Sequence, residues 1–192
     1  MSVSREDAAR ALAEVGRVQR RSAVLRGYQQ GAPHFWLWGV IWAIGFGISD
    51  YRSELAGTSW IVLDVLGCIG AALLARRSIH TLQGGHAAGA LARIRGLQIA
   101  GAILLMVAFL FATYYVLPPT AGRQYGAFPA LMMALLYSLV GLAAGVRWLV
   151  LGLALFTLTL GGYAALQAHF LLWMAFAGGG ALVLTGFWMR LP

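Results

Sequence analysis

The chain has 192 residues, 60% of them hydrophobic and only 10% charged, against about 25% charged in an average soluble domain. That deficit excludes an ordinary soluble surface and makes lipid the solvent for the long apolar runs. The net charge is +8 and all fourteen basic residues are arginine. Membrane proteins collect such cations on the cytoplasmic side, which accounts for the charge without nucleic acid as a partner.

Residues 1–31 form the first unit, a cytoplasmic amphipathic helix and hinge. Ser4 with Asp7 three residues on resembles a capping box. Ala8, Ala11, Val15, Val18, Ser22 and Leu25 then recur at alternating three- and four-residue spacing, which lines one helix face in the manner of a coiled-coil seam. Glu14 can pair with Arg10 and Arg17 along the surface. Gly27, Gly31 and Pro33 are expected to stop this helix and supply the hinge. The seam is narrow, so it should rest on its own chain, on anionic lipid or on a partner.

Residues 32–192 form the second unit, an all-α bundle of six transmembrane helices. A crossing needs about 20 apolar residues, and six stretches approach or meet that, at about 34–49, 59–75, 97–117, 128–146, 148–166 and 169–189. The third stops at Pro118–Pro119, and the fourth begins at Phe128 with Pro129 in its first turn. From Ala127 to Met189 the polar breaks are Arg147 and Gln167–His169, so three helices follow one another through tight turns. Trp60-Ile-Val-Leu in the second span is echoed by Trp148-Leu-Val-Leu in the fifth, as an inverted repeat of two three-helix halves would require.

Orientation follows from the arginines. Arg5, Arg10, Arg17, Arg20, Arg21, Arg26, Arg76, Arg77, Arg93, Arg95, Arg147 and Arg190 fall on one side of this topology, Arg52 and Arg123 on the other. The positive-inside rule makes the first side cytoplasmic, with both termini inside. The cytoplasmic loop 76–96 carries His80, His86 and Gly84–Gly85. With the N-terminal helix it makes a basic face on which Arg17, Arg20, Arg21, Arg76, Arg77, Arg93 and Arg95 could hold an acidic partner or anionic lipid. The histidine spacing matches no zinc motif, and neither a metal nor a cofactor is expected.

Within the spans, Asp64 is the acidic residue set well inside, about five residues from the outer end of the second span. A charge at the bilayer centre costs about 2.5–3.5 kcal/mol on insertion scales, which makes Asp64 a candidate for ion or proton handling. Cys68 and Trp60 lie four residues to either side, on the same helix face. Tyr137, Ser138, Thr157, Thr159 and Gln167 could line a cavity or bond to neighbouring helices. Ala134, Ser138, Gly141 and Gly145 form a small-residue stripe suited to close packing within the chain or against a second copy. His34 and His169 fall at opposite membrane faces, so they cannot share a haem.

No nucleophile–base pair, carboxylate dyad or phosphate loop is legible. The expectation is a non-enzymatic, multi-pass protein of the cell membrane, the inner membrane if the source is bacterial. It would act as a receptor, sensor or scaffold whose basic cytoplasmic face engages a protein partner or lipid and whose bundle holds a lipid or small apolar ligand. The alternative is a small transporter or channel using Asp64.

Overall fold

The computed structural model describes the backbone of residues 5–80 and 86–191, with side chains for all of these except 5–11, 19–21, 23, 78–80, 86–96 and 99–100. Every regular element among the described residues is helical: α1 (Arg5–Tyr51), a 3-10 turn (Ser53–Leu55), α2 (Ala56–His80), α3 (His86–Val116), α4 (Gly122–Ala144), α5 (Val146–Ala165) and α6 (Phe170–Trp188). Five helices are long and apolar enough to cross a membrane: Val24–Tyr51, Ser53–Arg77, Gly122–Ala144, Val146–Ala165 and Phe170–Trp188. The sixth expected span falls in α3, whose apolar stretch Gly101–Val116 is shorter among the described residues.

The first correction concerns α1. It is one helix of 47 residues, about 70 Å at 1.5 Å per residue. The hinge expected at Gly27–Pro33 does not exist. Pro33 deletes a single backbone donor, which membrane helices tolerate, and the apolar stripe on either side holds the helix together. Tyr28, Ala32, Phe35, Gly39, Trp42, Phe46 and Ser49 are all buried and continue the three–four spacing of the N-terminal seam. Gly31 serves close approach: a Cβ there would touch the Trp148 ring at 3.4 Å. The boundary drawn at residue 31 therefore cuts through a continuous element.

Other boundaries move for local reasons. α4 starts at Gly122, ahead of the expected Phe128, because Gln124 Oε1 accepts hydrogen bonds from the Thr120 and Ala121 amides at 2.6 and 3.2 Å. Pro129 consequently lies inside the helix. The expected loop 76–96 is mostly helix, since α2 runs on to His80 and α3 starts at His86; residues 81–85, with Gly84–Gly85, lie outside the described residues.

The core is built by α1, α4, α5 and α6. Phe170, Leu151, Leu155, Met174, Leu182 and Met189 are its largest fully buried side chains. α4 and α5 make the most extensive contact, as a hairpin turning on Gly145. Gly141 backs onto Leu149, and Gly152 lies against Ser138 and the carbonyl of Ala134. α1 and α6 meet through Gly39 and Gly179, where a Cβ on either would reach the other's carbonyl oxygen at 2.9 Å. Beside that contact α6 opens into a π-turn over Met174–Gly178, which no spacing rule flagged.

α2 lies antiparallel to α1 and, among the described residues, packs along no other helix. Gly67 faces Trp38 and Ile41, Gly70 faces Leu37, and Trp60 covers Gly45. The Trp60 indole donates to Ser49 Oγ at 3.0 Å, and Ser49 donates to the Gly45 carbonyl at 2.7 Å. Among the described residues, α3 touches the rest through its C-terminal end, where Tyr114 donates to the Tyr125 carbonyl at 2.8 Å and its ring meets Tyr125 and Phe128. Trp60 and Trp148 thus occupy unlike surroundings: α2 rests on one helix, while α5 lies between α4 and α6.

Candidate functional site

One end of the bundle concentrates arginine and aromatic side chains, and its two bonded arginines come from helix ends, Arg147 from the start of α5 and Arg190 from just past the end of α6. α5 begins at Val146, so Arg147 sits in its first turn. Its guanidinium donates to the carbonyls of Trp188 and Leu191 at 3.1 and 2.7 Å. Those carbonyls lie at and just past the end of α6, so the charge sits at the negative end of that helix, where the Trp188 carbonyl also accepts the Leu191 amide at 3.2 Å. The same guanidinium lies 5.1 Å from the Tyr28 ring centre and 5.6 Å from that of Trp188, within cation–π range. The Tyr28 hydroxyl in turn approaches the Arg147 amide at 3.5 Å. One side chain thereby ties α1, α5 and the C-terminal turn.

The surrounding rings extend the knot. Arg190 lies 4.3 Å over Trp36, and the Trp36 ring tilts against Phe187. Trp148 stacks with Phe35 and Tyr137, which also touch each other. Trp36 Nε1 is buried with no hydrogen-bond partner in the structure. The antiparallel pairing of α2 with α1 brings the exposed Arg76 and Arg77 to this same end.

Beyond the knot, α1 continues as a projecting rod. Its seam is partly open: Val15 and Val18 are 52% and 59% exposed, whereas Leu25 packs against the core. Arg17 is exposed on the rod. The side chains of Arg20, Arg21, Arg93, Arg95, His80 and His86 lie outside the described residues, as do those of Ala8 and Ala11.

The other end is differently equipped. Asp50 is part of α1 and accepts from the Leu172 amide at 3.3 Å, capping the start of α6. Arg52 pairs with Glu54 in the exposed turn between α1 and α2. Arg123 lies 4.7 Å over the Tyr163 ring. A shallow cleft of about 460 Å³ runs between Asp50, Arg123, Gln167 and Phe170. His169 precedes α6 here, while His34 sits near the opposite end on α1.

Asp64 does not point into the bundle. It is exposed on α2, eleven residues after Ser53 and thirteen before Arg77, hence at the middle of that stretch and deeper than the sequence-based boundary placed it. Its carboxyl makes no hydrogen bond or ion pair with a described residue. Cys68 is exposed next to it, whereas Trp60 turns inward onto Phe46. Ala134, Ser138, Gly141 and Gly145 all lie at the α4–α5 contact. Thr157, Thr159 and Ser138 spend their hydroxyls on carbonyls four residues back in their own helices, and Tyr137 joins the ring stack. Among the described residues no group of three metal-ligating side chains forms.

Sequence reasoning placed Arg147 and Arg190 on one side, but treated the arginines as orientation signals. The signal for the knot was their spacing from tryptophan: Arg147 adjoins Trp148, and Arg190 follows Trp188 by two. Comparison with known protein families, characterised proteins and solved structures finds no match to this chain, so its assignment rests on geometry: it is an all-helical protein with five helices able to span a membrane.

Proposed function

We propose that the chain is a six-span protein of the cell membrane with both termini in the cytoplasm, acting as a non-enzymatic receptor or scaffold that presents the α1 rod to a protein partner. The observation that carries this reading is the unbroken α1. A crossing uses about 30 Å of helix, and α1 has 47 residues, so roughly half of its length of about 70 Å extends past the bilayer. A helix continuous with its span leaves the membrane, and its far part is not laid along headgroups. The Arg147 knot fixes the base of the rod to α5 and the C-terminal turn, so a partner held on the rod is coupled to the bundle.

Charge narrows the partner. Six arginines against Glu6, Asp7 and Glu14 leave residues 1–27 positive. In a parallel pair of these rods, the flanking Arg21 of one would face Arg26 of the other and repel it. A partner helix with acidic flanks fits better than a second rod. The apolar groove of about 390 Å³ between α1 and α6, lined by Val40, Ile44, Phe176 and Leu184, supports an acyl chain or small apolar ligand in the bundle. The transport alternative has less to draw on: neither cleft includes Asp64.

The reading is tested by affinity purification from native membranes, using the full chain and a chain lacking residues 1–27. The expected outcome is a set of co-purifying proteins that disappears with the rod, while the truncated chain still inserts and stays monodisperse. Identical sets, or none with the full chain, contradict it.

A further inference from the structure

The outward side of α2 carries a second stripe. Trp60, Gly67 and Gly70 face α1. About a quarter-turn away lie Gly57, Ile61, Asp64, Cys68, Ala71 and Ala75, spaced four, three, four, three and four residues apart. Ala71 is half-buried and the other five are exposed. This is the seam spacing of a helix pair, composed mostly of small side chains that let two backbones approach closely in a membrane. No other described helix packs along α2 apart from α1.

Asp64 sits at the centre of that stripe and of the candidate span. A carboxyl at that depth needs a partner, and none is offered among the described residues of its own chain. The described arginines lie away from mid-span: Arg52 and Arg123 at one end of the bundle, Arg76, Arg77, Arg147 and Arg190 at the other, and Arg17 and Arg26 on the N-terminal part of α1 beyond it. The apolar stretch of α3, Gly101–Val116, contains no charged residue. A carboxylic acid group, however, both donates and accepts. Across a two-fold axis, where one patch meets the same patch, two such groups satisfy one another without a third component. We propose that this side of α2 packs in parallel against the same side of α2 in a second copy, with the two Asp64 carboxyls hydrogen-bonded to each other near the axis. The occupant is a second copy because the stripe complements itself: small residues flank a group that can be its own partner.

In a parallel pair each seam residue faces its counterpart. Cys68, the single cysteine of the chain, is the next seam position after Asp64 and therefore reports the contact. The full chain, in native membranes and in dilute proteoliposomes, is oxidised with copper–phenanthroline. The expected product is a disulfide-linked species of twice the chain mass. Asp64→Leu should lower its yield at least ten-fold, and Asp64→Asn, whose amide also donates and accepts, should retain most of it. Leu66→Cys in a Cys68→Ser background places the thiol on the opposite side of α2 and should give little product. Thermal unfolding checks that each variant is folded. The proposal is overturned by absence of the Cys68-linked dimer, by an adduct of another mass, by equal yield from position 66, or by a folded Asp64→Leu that cross-links like the parent.

Discussion

Gly145→Ala is expected to lower the stability of the detergent-solubilised protein by about 2–4 kcal/mol, through backbone strain and overpacking acting at one position. Gly145 has φ of +127°, the one positive value among the described residues, and any Cβ is strained there. It joins α4 to α5 in a single residue, its amide donating to the Gly141 carbonyl at 3.1 Å. A Cβ would also run into the Tyr28 hydroxyl, the group that approaches the Arg147 amide. Thermal unfolding followed by tryptophan fluorescence measures the loss. Tyr28→Phe in the Gly145→Ala background should recover the larger share of the steric cost, leaving the ring Cζ at 2.9 Å and the backbone strain, so the two changes should be non-additive. Full additivity would show that the hydroxyl is not the obstacle.

Gly152→Leu should cost about 3 kcal/mol by forcing α4 and α5 apart. A Cβ at Gly152 meets the Ser138 amide nitrogen at 2.5 Å and the Ala134 carbonyl oxygen at 2.6 Å. Both belong to helix backbone, which cannot swing aside as a flexible side chain can. Gly161→Leu is the matched control on the same helix: an added Cβ there meets nothing within 4 Å, and replacing glycine inside a helix removes a residue of poor helical propensity. It should leave the unfolding temperature unchanged or slightly raised. A Gly152→Leu protein as stable as Gly161→Leu would contradict the close α4–α5 contact.

These positions show what a sequence discloses of a membrane bundle. Run lengths of apolar residues report the bilayer, so the helical class and five of the spans were legible. The small stripe Ala134–Ser138–Gly141–Gly145 was legible too, because close packing in lipid demands small side chains; its partner, α5, was not, since nothing in α4 says which helix it faces. Gly27, Gly31 and Pro33 were misread because soluble-helix punctuation was applied to a segment where Trp148, Tyr28 and Phe35 hold the helix through its weak points. The capping role of Asp50 was not legible, because only the return of α6 to its side makes it a cap. Arg147 carries both a topological and a structural signal in one side chain, and spacing exposes only the first. The outward placement of Asp64 was invisible because a lone residue has no periodicity, and its facing depends on which side of α2 meets α1.

The central claim is that the chain crosses the membrane six times, so that the rod and the C-terminal turn share the cytoplasm. Its most direct measurement uses single cysteines in a Cys68→Ser background, at Arg17, Ser53, Arg77, Thr120 and Arg190, probed with a membrane-impermeant maleimide on intact cells and after lysis. The account predicts that Ser53→Cys and Thr120→Cys react on intact cells, while Arg17→Cys, Arg77→Cys and Arg190→Cys react only after lysis. Labelling of Arg77→Cys and Thr120→Cys from the same side would mean that α3 does not cross. The count would then be five, placing Arg17 and Arg190 on opposite faces and contradicting the account.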